Sequence, residues 1–321
     1  MTDHAVLTGG TVRRASSARR TAPALSSSPH RKWAVRRRGA KALLYILPAA
    51  AIYGFFAIWP AMNTVYISLL EWDGIMPPQF VGLQNYVDLF QDPLLYGSIV
   101  HSLILIFFFS FIPVALGLAM TALLMGKVRR GITFFRVVFF LPQVLPLVAV
   151  GITWRWMYAE DGLVNQFLSA VGLSSIAHAW LGDYYLALIA IGFIGTWCVS
   201  GLCMVLFLSG AQKIDTALYE AASIDGAGFF RQFFSVTLPS LRGEITIAGV
   251  ITTIAGLASF DLVYVTTNGG PVNQTTVPGL LVYRLAFNET QIGAACALAV
   301  TLTVLIIAVV SVIRFALREK S

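Results

Sequence analysis

The stretch Glu220-Ala221-Ala222-Ser223-Ile224-Asp225-Gly226-Ala227-Gly228, running on to Val236-Thr237-Leu238-Pro239, is polar and broken by glycine, yet it lies between two long apolar runs, 185–211 and 245–267. Asp215 stands where it can cap a short helix with its body at 217–222, and Gly226 and Gly228 can end it. Phe229, Phe230, Phe233 and Phe234 surround Arg231 and Gln232, an amphipathic patch suited to a membrane interface before Pro239 opens the next apolar run. From the residues alone, a short helix lying across a membrane face and an ordinary solvated loop with a hairpin of short helices fit equally.

Apolar residues make up 57% of the 321-residue chain and charged ones 12%, and the charges gather in clusters between the apolar runs. Those runs fall near 43–70, 98–125, 134–157, 185–211, 245–267 and 292–316. Each is long enough to cross a bilayer, which takes about 20 residues. The expected fold class is therefore all-α, a polytopic membrane helical bundle of about six transmembrane helices, with no large soluble domain left over. Pro48, Pro60, Pro113, Pro142 and Pro146 interrupt the runs, and in a bundle neighbouring helices re-satisfy the freed backbone groups.

Orientation follows from lysine and arginine, which are in excess on the cytoplasmic side. The tail ahead of the first run holds ten, from Arg13 to Lys41, against Asp3 alone. The next connection carries Glu71, Asp73, Asp88 and Asp92 and no base; the one after it carries Lys127, Arg129, Arg130 and Arg136. Residues 158–184 are acidic again, Lys213, Arg231 and Arg242 follow, and the end has Arg314, Arg318 and Lys320. Both termini are expected to be cytoplasmic. Arg155 and Arg284 break the rule, Arg155 within an aromatic belt of Trp154, Trp156 and Tyr158 from which a long side chain reaches the interface.

The division expected is a basic, disordered cytoplasmic tail at 1–41 and a membrane domain at 42–321. The tail's arginines lack apolar periodicity, which favours attraction to anionic lipid over a nucleic-acid arm, so no nucleic-acid partner is expected. A cleaved signal peptide is disfavoured because the first apolar run continues well past Ala49-Ala50-Ala51. Cys198, Cys203 and Cys296 sit in apolar runs without ligand neighbours, and His4, His30, His101 and His178 are scattered, so neither a metal nor a catalytic site is expected. Gly126-Lys127 is followed by Val128 and lacks the glycine spacing that cradles phosphates. The chain is not expected to bind ATP or to be an enzyme.

The order Glu220-Ala221-Ala222, Gly226, Leu238-Pro239 resembles the EAA signature of permease subunits of ATP-binding-cassette importers. Phe80-Val81-Gly82-Leu83-Gln84-Asn85-Tyr86, Leu141-Pro142 with Pro146, and Thr267-Asn268-Gly269-Gly270-Pro271 are similar to segments of carbohydrate importers of the maltose type. The likeness runs from the first span to the last and leaves the arginine-rich tail unmatched. It departs in Val236, where the signature commonly has isoleucine, and in lacking a large outer domain after an early span, which warns against assuming maltose.

The resemblance implies a type I importer fold in a bacterial cytoplasmic membrane and a coupling helix near 216–228, with Glu220, Ala221, Ala222, Asp225, Gly226 and Ala227 in contact with an ATPase. It implies as partners a second homologous permease, two ATPase subunits that bind the ATP and magnesium, and an extracytoplasmic solute-binding protein. No cofactor is implied for this chain. Substrate-pathway candidates by the same likeness are Gln143 and the face of Thr252, Gly256 and Ser259, although small residues there also suit close helix packing. Trp197 could stack a sugar ring or pack in the core. Asp261, beside Phe260 and Tyr264, is a carboxylate within a span, expected to face water, a substrate or a partner such as Arg284. An ion-coupled secondary transporter using Asp261 is the alternative, weakened by the lack of a convincing internal repeat.

Overall fold

The computed structural model describes residues 45–125 and 131–317. The tail at 1–41, Lys127, Arg129, Arg130, Arg318 and Lys320 lie outside the described residues. The chain divides into two compact units, residues 1–59 and residues 60–321. In the first, the described residues are helical from Tyr45, with a π-helical turn at Gly54–Ile58. Helix α1, Tyr45–Ile67, carries residues of both units.

In the second unit a two-residue hairpin, β1 (Leu70–Glu71) with β2 (Gln79–Phe80), pairs Leu70 with Phe80 and Glu71 with Gln79. The short helix α2, Gln84–Gln91, follows and braces it. Asn85 Nδ2 donates to the carbonyls of Ser68 and Leu70 at 2.9 and 2.8 Å, and the Tyr86 hydroxyl meets Ser68 Oγ at 2.7 Å. Asp73 accepts from the amides of Ile75 and Met76, which holds its carboxyl below the usual carboxylate range.

The remaining long helices are α3 (Pro93–Leu124), α7 (Leu186–Ala211), the pair α10 (Arg242–Leu257) and α11 (Asp261–Thr266), and α13 (Ile292–Ala316). With α1, and with α10 and α11 taken as one span, they make five spans long and apolar enough to cross a membrane. The sixth is not the continuous span expected at 134–157. It is a pair, α4 (Thr133–Val144) and α5 (Leu147–Met157), bent by 97°. Leu145 is extended, as the residue before proline prefers, and Pro146 caps α5 without an amide hydrogen to continue α4.

Helix α7 is the centre of the bundle: it is apolar on all sides and buried over most of its length. Two glycine contacts let neighbours approach it at backbone distance. A Cβ at Gly117 of α3 would lie 2.7 Å from Cys203 Cβ, and one at Gly201 would land on the carbonyl oxygen of Phe139 in α4. Hydroxyls then stitch the helices where the backbone is irregular. In the π-helical turn Phe107–Phe111 of α3, the Phe108 carbonyl accepts from Thr196 of α7 at 2.6 Å. Ser110 Oγ of the same turn accepts from Thr252 and Thr253 of α10 at 2.7 and 3.2 Å.

The segments joining the spans are held by single side chains. After α5, α6 (Leu163–Ala170) carries Asn165, which donates to the carbonyls of Ala159, Glu160 and His178 and accepts from Trp180. Asp183 then accepts from the amides of Leu186 and Tyr185 at the start of α7, which lowers its pKa. Beyond α11, Asn268 to Asn273 form a tight turn tied by Arg284, whose guanidinium donates to the Asn268 carbonyl at 2.6 Å and to Asn273 Oδ1 at 2.9 Å. Arg284 opens the π-helical turn Arg284–Asn288 after α12, Pro278–Tyr283.

Gly201→Val should prevent assembly of α4 on α7, seen as aggregation in detergent, because overpacking here meets backbone rather than a movable side chain. Thr196→Val should leave a folded protein destabilised by about 1 kcal/mol, measured as a lowered unfolding midpoint in mild detergent.

Candidate functional site: a docking helix and a pocket at the helix break

The polar stretch that follows α7 folds into α8, Thr216–Ile224. Asp215 caps it by accepting from the Ala217 amide at 3.0 Å. Its end is a Schellman turn: Gly226 takes φ +76°, its amide donates to Ser223 O, and the Ala227 amide donates to Ala222 O at 2.9 Å. Gly228 does not share in this stop. It is extended and begins the next helical stretch, α9 (229–240).

No residue of α8 is buried. Glu220, Ala221, Asp225 and Gly226 are exposed, and Ala222 and Ala227 half-buried. Ile224 is 87% exposed, with Leu218 and Phe230 also bare. Leu218 and Ile224 belong to this surface although the sequence reading passed over them; their signal is large apolar side chains on a short helix with nothing of its own to cover. The helix is strapped from behind: the Tyr219 hydroxyl meets Thr237 Oγ1 at 2.9 Å, and Gln232 Nε2 donates to Ser223 Oγ and to the Ala227 carbonyl. Since α9 leads directly into α10, α8 is bonded to the base of the span that carries the other candidate residues.

That span is interrupted at 258–260, and Asp261 opens the second half. The break borders a cavity of about 240 Å³ lined by Phe109, Pro142, Gln143, Cys198, Ser259 and Asp261, among others. Three backbone irregularities meet around it: the π-helical turn of α3, the proline bend between α4 and α5, and the gap between α10 and α11. Irregular backbone at membrane depth is tolerated where it is packed in protein or lines a cavity. Gln143 and Asp261 are exposed, and among the described residues neither side chain makes a hydrogen bond or ion pair. The pairing of Asp261 with Arg284 considered from sequence is not made, because Arg284 is spent on Asn268 and Asn273.

The other candidates separate. Ser259 lines the cavity and donates to the Gly256 carbonyl. Thr252 and Gly256 do not line it. Thr252 is 0% exposed with its hydroxyl on Ala248 O and Ser110 Oγ, and a Cβ at Gly256 would lie 3.2 Å from Ile106 Cα, so both serve the packing of α10 on α3. Trp197 also lies off the cavity lining, edge-on to Trp154 at 5.6 Å. Tyr264 stacks on Phe260 at 5.1 Å and packs on Tyr283 at 5.0 Å, giving a ring cluster beside Asp261 that composition alone did not disclose.

Residues 111–319 match the family model described as binding-protein-dependent transport system inner membrane component. The chain belongs to this family. The match takes in α8 and, apart from Phe109, the named cavity residues. A probable ABC transporter permease of Bacillus subtilis, YurN, is 35% identical over 83% of this chain and 91% of its own. The lactose transport system permease LacF of Rhizobium radiobacter is 34% identical over 86% and 94%. A trehalose/maltose transport system permease of Thermococcus litoralis, MalF, is 34% identical over 82% and 89%. In fold, the chain is similar to a bacterial ABC transporter that imports the acidic polysaccharide alginate, with a TM-score of 0.75 over 91% of this chain and 99% of that one at 21% identity. This binding-protein-dependent permease is thus an inner-membrane component, and its α8 occupies the stretch first singled out in the sequence.

Gly226→Ala should fray the end of α8, since a Cβ at this φ costs roughly 1–2 kcal/mol. The check is faster amide exchange at 225–228 with the rest of the bundle unchanged.

Proposed function

We propose that this chain is one of two homologous permeases of an ATP-driven carbohydrate importer, with its termini and α8 on the cytoplasmic side. The observation that carries the reading is α8 itself. It is fully formed, has no buried residue, shows bare Leu218 and Ile224 beside Glu220 and Asp225, and is tied to the base of α10. An ATPase subunit that holds this helix in a cleft would cover those side chains. Closure of two ATPases on ATP would draw paired coupling helices together, and the Tyr219–Thr237 and Gln232 straps would carry that motion into α10 and on to the break at Asp261. A solute-binding protein would deliver the sugar on the opposite side.

Within the pathway, Gln143, Ser259 and Asp261 supply hydrogen-bonding groups from this chain, and the Phe260–Tyr264–Tyr283 cluster supplies a flat apolar surface. These are the two needs of sugar recognition. The named lactose and trehalose/maltose relatives are systems for uncharged sugars, and the charged side chain on this cavity is a carboxylate, which disfavours an anionic glycan. Thr252 and Gly256 act through packing, and Trp197, 43% exposed, keeps an open ring face away from this cavity.

The first experiment is co-purification of the chain with the products of adjoining genes, comparing wild type with Glu220→Ala and Gly226→Pro. An ATPase subunit should accompany the native chain and be lost or uncoupled with either change; a chain that purifies alone and transports unaided would overturn the reading. Asp261→Asn should keep the ATPase bound yet lower uptake of a labelled neutral disaccharide about tenfold, the loss of one charge-assisted hydrogen bond.

A further inference from the structure

The base of the bundle contains a second cavity, of about 550 Å³, between the ends of α3, α4 and α7 and the coupling segment. Among the described residues its charged lining side chain is Arg136, and no aspartate or glutamate lines it. Arg136 Nε is beyond the reach of solvent and has no hydrogen-bond partner among the described residues. Glu244, which packs against Gly210 near the end of α7, is engaged with Lys213 at 3.8 Å, and Asp215 in the α7–α8 connection accepts from the Ala217 amide. A shielded, unpaired guanidinium donor is costly, and an anion with several acceptor oxygens would satisfy it together with the charge.

Neutral donors surround the same space: Gln212, Thr216 and the Tyr219 hydroxyl. The remaining wall is apolar, from Met125, Leu208, Ile214, Phe229 and Phe233. Beside Arg136 on α4, Phe134, Phe135, Val137 and Val138 are bare. The cavity therefore opens beside an apolar surface suited to acyl chains, at the end of a span, the depth of the headgroup layer. We propose that this cavity binds the phosphate of an anionic phospholipid headgroup, with Arg136 as its charge partner and Gln212 and Thr216 as further donors. Tyr219 makes the coupling helix one wall of the site, so an occupied site stiffens α8 against the bundle. That consequence rests on the coupling role proposed for α8; the binding itself does not.

The test uses the assembled transporter in nanodiscs of phosphatidylcholine with or without phosphatidylglycerol, followed by native mass spectrometry of retained lipid. Wild type should hold one phosphatidylglycerol that Arg136→Gln loses, with apparent affinity about tenfold weaker. Arg231→Gln, an exposed arginine off the cavity lining, should behave as wild type. If Arg136→Gln does not assemble, Thr216→Val with Gln212→Leu replaces it and should weaken retention severalfold. Equal retention by wild type and the cavity variants overturns the proposal. So does protection by inorganic phosphate alone with no preference for phosphatidylglycerol, which would make the ligand a free anion. Because ATPase co-purification is scored on the same samples, loss of the lipid with the ATPase still bound separates a failed lipid site from a failed coupling helix.

Discussion

A helix in lipid has to satisfy its backbone polar groups from within the protein, and the rest of this bundle depends on how α7 allows that. Because α7 is apolar on every side and carries glycine where others cross it, α3 and α4 come close enough for hydroxyls on one helix to reach carbonyls on the next. Thr196 on the Phe108 carbonyl and Ser110 between Thr252 and Thr253 are possible only at that spacing. They in turn permit the backbone to depart from helix in α3. The pocket with Gln143 and Asp261 lies where that departure meets two others.

The same economy of contacts links the two ends of the molecule. α8 is rigid by virtue of a cap, a Schellman turn and two side-chain straps, while the face turned from the bundle has nothing of its own to bury. A rigid element with an uncovered face transmits displacement instead of absorbing it. α9 ends at Ser240 and α10 begins at Arg242, so under the proposed coupling a movement at Glu220 would enter the span that is broken at Asp261.

Charge placement shows how one residue type serves different ends. Arg155 and Arg284 both run against the positive-inside pattern. Arg155 lies in the last turn of α5, where a cation complements the helix carbonyls, and Arg284 ties the Asn268–Asn273 turn. Arg136 obeys the pattern, yet it is the one of the three left with a shielded, unpartnered nitrogen.

The sequence by itself determined the membrane class, the approximate positions of the spans and the short helix α8. These rest on local signals: apolar length, an aspartate before a helical run, and a glycine where φ must be positive. The motif around Gly82, Asn85 and Tyr86 was equally visible, though its bracing role on Ser68 and Leu70 was not. Only the tertiary structure decided which small and polar residues face a cavity. Thr252, Gly256 and Ser259 share helical spacing, yet α3 covers the first two and the helix ends before it can cover the third. It decided too that the span at 134–157 bends by 97°, that Arg284 leaves Asp261 unpaired, and that Tyr264 joins a ring cluster. Each of these depends on a partner distant along the chain, and spacing within one helix holds no record of what packs against it.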